Sequence, residues 1–175
     1  MRAVLLLALF ATVPAVAQPA LVARAGVGLD VGADVGKLAS SGSLGVASGG
    51  WAAGLHVERA EEIAIFTSPA ERSTTVALLV GREVRPTGER GYLVVWAGPS
   101  VVQAVERGEV VESGWFSSRH ERVDRLGIGA AARVSASAFP VPRVPIGLSL
   151  DAGVSASHVG LAASGTLGLA VRLGG

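Results

Sequence analysis

The chain contains no cysteine, one methionine and, in 175 residues, a single lysine, Lys37. Without cysteine there is no disulfide framework, no thiolate metal site and no cysteine nucleophile. A formal net charge of +1 with no basic block leaves no electrostatic footprint for nucleic acid. The three histidines, His56, His120 and His158, lie far apart and lack the spacing of a metal site. Rossmann and P-loop glycine signatures are absent as well. No catalytic, cofactor-binding or metal-binding residue is therefore expected, and no cofactor. Aromatic residues make up only 5% of the chain, although half of it is hydrophobic.

Glycine, in contrast, is abundant. The 24 glycines argue against a mostly helical protein, since each one inside a helix costs roughly 0.5–1 kcal/mol relative to alanine. Residues 1–17, MRAVLLLALFATVPAVA, have a basic start, an apolar core and a small-residue end at Ala15-Val16-Ala17. That is the layout of a cleaved secretory signal peptide. About a dozen apolar residues fall short of the ~20 that a spanning helix needs, and no later stretch is long enough either. Residues 18–175 then form one domain.

Within that domain the hydrophobic pattern has period two. In GLAASGTLGLAVRL (160–173), Leu161, Ala163, Gly165, Leu167, Leu169, Val171 and Leu173 alternate with small or polar residues. Alternation of this kind marks a β-strand, and its length exceeds the roughly 9–11 residues that cross a bilayer as a tilted strand. Residues 21–35, 126–138 and 144–156 repeat it. Shorter strands are expected at 44–57, 62–67, 74–84 and 92–105. Parity changes at Ser48-Gly49-Gly50, which predicts a β-bulge there. KLASSGS (37–43) reads as a loop, Glu58-Arg59-Ala60-Glu61 as a tight polar turn, and 107–121 as the longest irregular polar stretch. In 92–105 both faces are apolar, and its faces stay unassigned.

Eight strands with hairpin-length connections make an antiparallel meander. One face is continuously aliphatic, whereas the other consists of Gly, Ala, Ser and Thr with isolated charges. A water-exposed face would carry more Lys and Glu. The expected fold is therefore all-β: a closed antiparallel up-and-down transmembrane β-barrel of eight strands, aliphatic side to lipid and small side to the lumen. Closure also removes the unpaired edges that lipid does not tolerate.

A signal peptide followed by eight alternating strands resembles the small outer-membrane β-barrel proteins of Gram-negative bacteria. The segments VALLVGREV, GYLVVWAGPSVV, RLGIGAAARVSA, IGLSLDAGVSAS and GTLGLAVRLG look like an outer-membrane barrel family of the Bacteroidota type. The resemblance implies residence in the outer membrane, with the lipid bilayer as the main partner. It also implies aromatic girdles at the membrane surfaces, for which Trp51, Tyr92, Trp96 and Phe139 are a sparse set. In some eight-stranded outer-membrane barrels a rim Ser and His modify lipid, and His158 beside Ser157 invites that comparison without a second hydroxyl following.

The lumen face would carry Arg24, Asp30, Asp34, Glu83, Arg133, Asp151 and Arg172. Charges in a narrow interior are costly unless paired, so these are expected to form a structural ion-pair network that plugs the barrel. Pairing across the turn at 139–143 would set Arg133 diagonal to Asp151. Trp115 and Phe116 mark a contact loop for an extracellular or envelope protein partner. The functional reading is a non-enzymatic barrel with a structural, adhesive or interaction role. A lipid-modifying barrel enzyme, a narrow pore and a soluble secreted β-protein binding an apolar ligand remain open beside it.

Overall fold

The computed structural model describes residues 18–31, 36–63, 67–84, 90–141 and 143–174. The proposed signal peptide and Asp34 lie outside the described residues. The described chain is all-β: β1 (Ala20–Val31), β2 (Gly36–Ser48), β3 (Trp51–Glu61), the two-residue β4 (Thr67–Ser68), β5 (Arg72–Val84), β6 (Gly91–Ser113), β7 (Ser118–Ala138), β8 (Ile146–Ser157) and β9 (Gly160–Leu173).

The eight long strands pair antiparallel with their neighbours, and β9 pairs with β1 to close the ring. Residue partners can be followed once around the barrel. Asp30 faces Ser164, then Gly153, Arg133, Trp96, Gly81, Ala52, Ala47 and finally Ala20. The path returns to β1 ten residues below its start, which is the shear of the barrel. Eight strands with that stagger tilt by about 40°.

Alternation sorts each strand as expected. Leu21, Val27, Leu29 and Val31 of β1, Leu78 and Val80 of β5, Leu126, Ile128 and Val134 of β7, and Leu148, Leu150 and Val154 of β8 all point outward and are exposed. On β3 the outward face runs from Trp51, with Arg82 4.6 Å from its ring, to Arg59 eight residues on. At about 3.3 Å per residue and that tilt, the interval spans about 20 Å of height, close to the ~25 Å apolar band of a membrane barrel.

The count of eight long strands holds, but several boundaries differ. Residues 44–57 are not one bulged strand, because Gly49 and Gly50, at φ 59° and 77°, make a two-residue hairpin turn between β2 and β3. Two consecutive positive φ values suit a type I′ turn, which glycine adopts without strain. The supposed loop 37–43 belongs to β2, and the supposed turn at Glu58–Glu61 is the upper part of β3. The expected strand at 62–67 is no barrel strand. β3 pairs directly with β5; among the described residues Glu62 and Ile63 are non-strand, and Thr67–Ser68 pairs in parallel with Ser118 and Arg119.

The stretch 107–121 is a strand pair and not an irregular loop. β6 and β7 extend well past their neighbours: β5 leaves β6 at Val105, and β8 leaves β7 at Gly129. A hairpin therefore stands about 30 Å above the barrel, at 3.3–3.4 Å per residue. Register shifts between Arg107 and Val110 and between Val110 and Glu112 bend it.

Candidate functional site

The inward face of each strand builds the lumen, and two polar clusters lie in it. In the lower cluster, near Ala20 and Leu173, Arg172 grips Glu83 through both guanidinium nitrogens, at 2.8 and 3.2 Å. The same guanidinium lies 3.8 Å from the Tyr92 ring, which meets Phe139 edge-on. Arg24 donates from Nε to Ser137 Oγ at 3.0 Å and sits 5.2 Å from the Trp96 ring. Trp96 Nε1 donates to Ser135 Oγ at 3.1 Å, and Ser135 in turn donates to Asp151.

Apolar packing surrounds this cluster. Val22, Ala47, Ala52, Ala77, Leu79, Val94, Trp96 and Ala131 form one buried group. Trp96 is thus a lumen residue and not part of an aromatic girdle. Its neighbours explain why 92–105 resisted assignment: Val95 and Val101 face lipid while Val94, Trp96 and Val102 pack inward, so both faces are apolar.

The upper cluster centres on Glu58. Its carboxylate accepts from Arg133 Nη2 at 2.8 Å and from Ser164 Oγ at 2.7 Å, and His56 Nε2 lies 3.7 Å away. One side chain from β3 thereby ties β7 and β9 across the bore. Arg133 and Glu58 are both almost fully buried, as is Asp30, which faces Lys37 in the β1–β2 register. Ser41 and Thr166 hydrogen-bond at 2.9 Å.

Above these layers, described residues of the β3–β5 connection reach β2, β6 and β7. Arg107 pairs with Glu62 and donates to the Pro69 carbonyl at 3.2 Å, and Lys37 lies 3.4 Å from Glu71. The hairpin tip, Gly114–Ser117, carries Trp115 and Phe116, 97% and 82% exposed. Together with Thr67 they border an open hollow of about 410 Å³. Lower on the hairpin, exposed Arg122 donates to Asp124 from Nε and Nη2 at 2.9 and 2.8 Å. Those bonds hold the Asp124 carboxyl below the usual carboxylate range.

Six of the seven charges expected in the lumen, Arg24, Asp30, Glu83, Arg133, Asp151 and Arg172, are inward and buried, with only Asp34 undescribed. Of these, Arg172 and Glu83 pair with each other, whereas Arg24 and Asp151 bond serine hydroxyls instead of opposite charges. Arg133 stands diagonal to Asp151 by register, yet it reaches across to Glu58 and leaves Asp151 to Ser135. Glu58, His56, Glu62 and Arg107 were missed, the first because its stretch read as a turn. The parity of β3 would have found Glu58 and His56, which alternate with Leu55, Val57 and Arg59 on the outward side. Ser157 and His158 sit at the β8–β9 turn, where Ser157 Oγ accepts from the Val159 amide at 3.2 Å. No group of three or more metal-ligating side chains occurs among the described residues.

No family model and no curated protein matches this chain by sequence. Solved structures do match. Neisserial surface protein A, NspA, gives a TM-score of 0.60 at 13% identity, covering 90% of this chain and 97% of that one. Ail, the attachment invasion locus protein of Yersinia pestis, gives 0.57 at 12%, covering 90% and 99%. The N-terminal β-barrel domain of Pseudomonas aeruginosa OprF gives 0.57 at 11%, covering 89% and 97%. The fold of this chain is that of the small outer-membrane β-barrels, with the aliphatic face turned to the bilayer.

Proposed function

We propose that the protein is a non-enzymatic integral outer-membrane barrel whose lumen is plugged by side chains and whose work is done outside it, in an adhesive or interaction role. The observation that carries this reading is the contrast between the two polar regions. Lumen charges are satisfied inside the lumen, by one another in Arg172–Glu83 and Arg133–Glu58 and by serine hydroxyls in Arg24–Ser137 and Ser135–Asp151. The hairpin instead offers Trp115 and Phe116 to the surroundings, and exposed aromatics of this kind are common anchors of protein contacts. The short β2–β3 turn beside the chain termini and the long β6–β7 hairpin opposite fit periplasmic and extracellular ends respectively. The word attachment in the name of Ail agrees with an adhesive role, and none of the three neighbours is named for an enzymatic activity. The Bacteroidota-type likeness rests on the Gly/aliphatic patterning of the second half of the chain.

Planar-bilayer recording tests the plug. Purified protein should give no steady conductance, and a large, lasting open level would refute the closed lumen. Adhesion of cells displaying the protein tests the hairpin: Trp115→Ala with Phe116→Ala should abolish it, and unchanged adhesion would refute the contact role. A narrow pore is the second reading. Buried Ser43 Oγ, His56 Nε2, Ser100 Oγ and Ser149 Oγ have no hydrogen-bond partner among the described residues, which favours a hydrated path between the clusters.

A further inference from the structure

The upper part of β7 is a sheet edge. Below Gly129 the strand is covered by β8, and at Ser118–Arg119 it is covered by β4. Between them, from His120 to Ile128, no strand pairs with that side of β7 among the described residues. The backbone groups along such an edge are ready to pair with another chain. β4 shows that the edge accepts an extended segment. The side chains along it are charged, in the order Glu121, Arg122, Val123, Asp124, Arg125.

Charge on an edge usually discourages pairing. Here its order is self-complementary. If two copies of this edge align antiparallel about Val123, Glu121 of each faces Arg125 of the other, and Arg122 faces Asp124. Directly opposed residues in an antiparallel pair have Cβ atoms about 4.5–5.5 Å apart, close enough for each pair to form. The matching register uses His120 to Leu126, seven of the nine uncovered residues. Parallel, in-register pairing would set every charge against its like. A register shifted by one pair of residues, centred on Arg122, opposes Arg119 and Arg125.

We propose that the β7 edge pairs with the β7 edge of a second copy of this chain, seated in the membrane of an apposed cell or vesicle. This rests on the extracellular contact role of the hairpin given above. Antiparallel strands fix the orientation, because the second barrel must then point the opposite way and enter a facing bilayer. Sequence order thus acts as both attraction and discrimination, rejecting parallel and shifted pairings. At about 3.3 Å per residue, the register brings the two bilayer surfaces to about 25 Å. The tip of each hairpin ends near the level of the partner's Gly129.

Vesicles of defined phospholipid provide the test, with the whole barrel reconstituted and its folding checked by heat-modifiable gel migration. Wild-type vesicles should tether one another, with a bilayer spacing of about 25 Å, and should ignore protein-free vesicles. Arg125→Glu alone should reduce tethering at least tenfold, and so should Glu121→Arg alone. Vesicles bearing Arg125→Glu mixed with vesicles bearing Glu121→Arg should tether again, because both opposed pairs are restored across the two populations. Rescue by the mixture cannot come from loss of fold or of the Arg125–Glu106 contact, which lies within one chain at 3.0 Å. Equal tethering to protein-free vesicles would overturn the proposal in favour of a lipid partner. Tethering insensitive to both charge reversals, or a mixture no better than either variant alone, would also overturn it. Those results leave the Trp115 and Phe116 contact standing, since cell adhesion reads that separately.

Discussion

The barrel and the hairpin are made from the same two strands, yet they follow opposite rules. Inside the barrel β6 and β7 each have a neighbour on both sides, and the charges on their inner face are buried and tied to particular partners. Above it most of the pair's flanks are open, and the ion pair on its β7 edge lies in solvent: the Arg122 and Asp124 side chains are each 52% exposed. A buried ion pair is held by what its loss would strand in the interior, whereas an exposed one is worth about 0–1 kcal/mol. Stability is therefore concentrated in the barrel, and the hairpin is free to carry exposed side chains, Trp115 and Phe116 among them, that do not support the fold.

Substitutions can break or sharpen that contrast. The largest effect is expected at Glu58→Ala, which strands Arg133 in the bore and should cost about 3–5 kcal/mol. Urea unfolding in detergent, followed by the mobility of unheated samples on gels, measures it. Replacing both partners by methionine should recover most of the loss, and no recovery would mean that Glu58 matters for something other than Arg133. Next comes the outer face. Leu55→Arg, halfway between Trp51 and Arg59, should cost about 2–4 kcal/mol, and Leu126→Arg near the upper rim about 0–1 kcal/mol, in the same assay with lipid vesicles. Equal costs would show that the apolar band is misplaced.

On the hairpin the expected changes in stability are small. Trp115→Ala with Phe116→Ala should move the unfolding midpoint by no more than about 0.5 kcal/mol while removing adhesion. Smallest of all is the pH effect at Asp124. Its carboxyl is lowered in the folded chain by the bonds from Arg122, so the stabilisation it lends is present above the unfolded pKa and is lost as pH falls through the folded one. With both side chains in solvent, Asp124→Asn should leave the unfolding curve unchanged at neutral pH and in mild acid.

The same contrast explains what the sequence made legible. Alternation is clear wherever one face meets lipid and the other a polar lumen, as in Leu21–Val31 and Leu161–Leu173. It fades where the two environments converge. Trp96 and Val94 are apolar because the bore packs around them, so β6 reads as greasy on both sides. From Arg107 to Glu121 water touches both faces, period two disappears, and a long hairpin passes for a polar loop. Lys37–Ser43 looked like a loop because β2 uses small residues on both faces there, with Ser40 and Gly42 turned outward. Two boundary errors, one strand too few at Gly49-Gly50 and one too many at 62–67, cancelled in the count. Charge partners across the bore depend on which strands face each other after closure, and Arg133–Glu58 could not be read from local spacing.

Glu58 carries one more consequence. Its partners come from β7 and β9, so the bonds it makes join the first third of the chain to its end. Arg172 on β9 finds Glu83 on β5 in the same way. Neither set is complete until the last strand is in place. A ring closed two residues out of register would keep its greasy face outward, and lipid would not detect the mistake. It would, however, shift Ser164 and Arg172 away from carboxylates that the rest of the barrel holds in place, leaving charge stranded in the bore. The polar interior thus serves as a check on the seam, penalising a mis-closed ring that the membrane itself would accept.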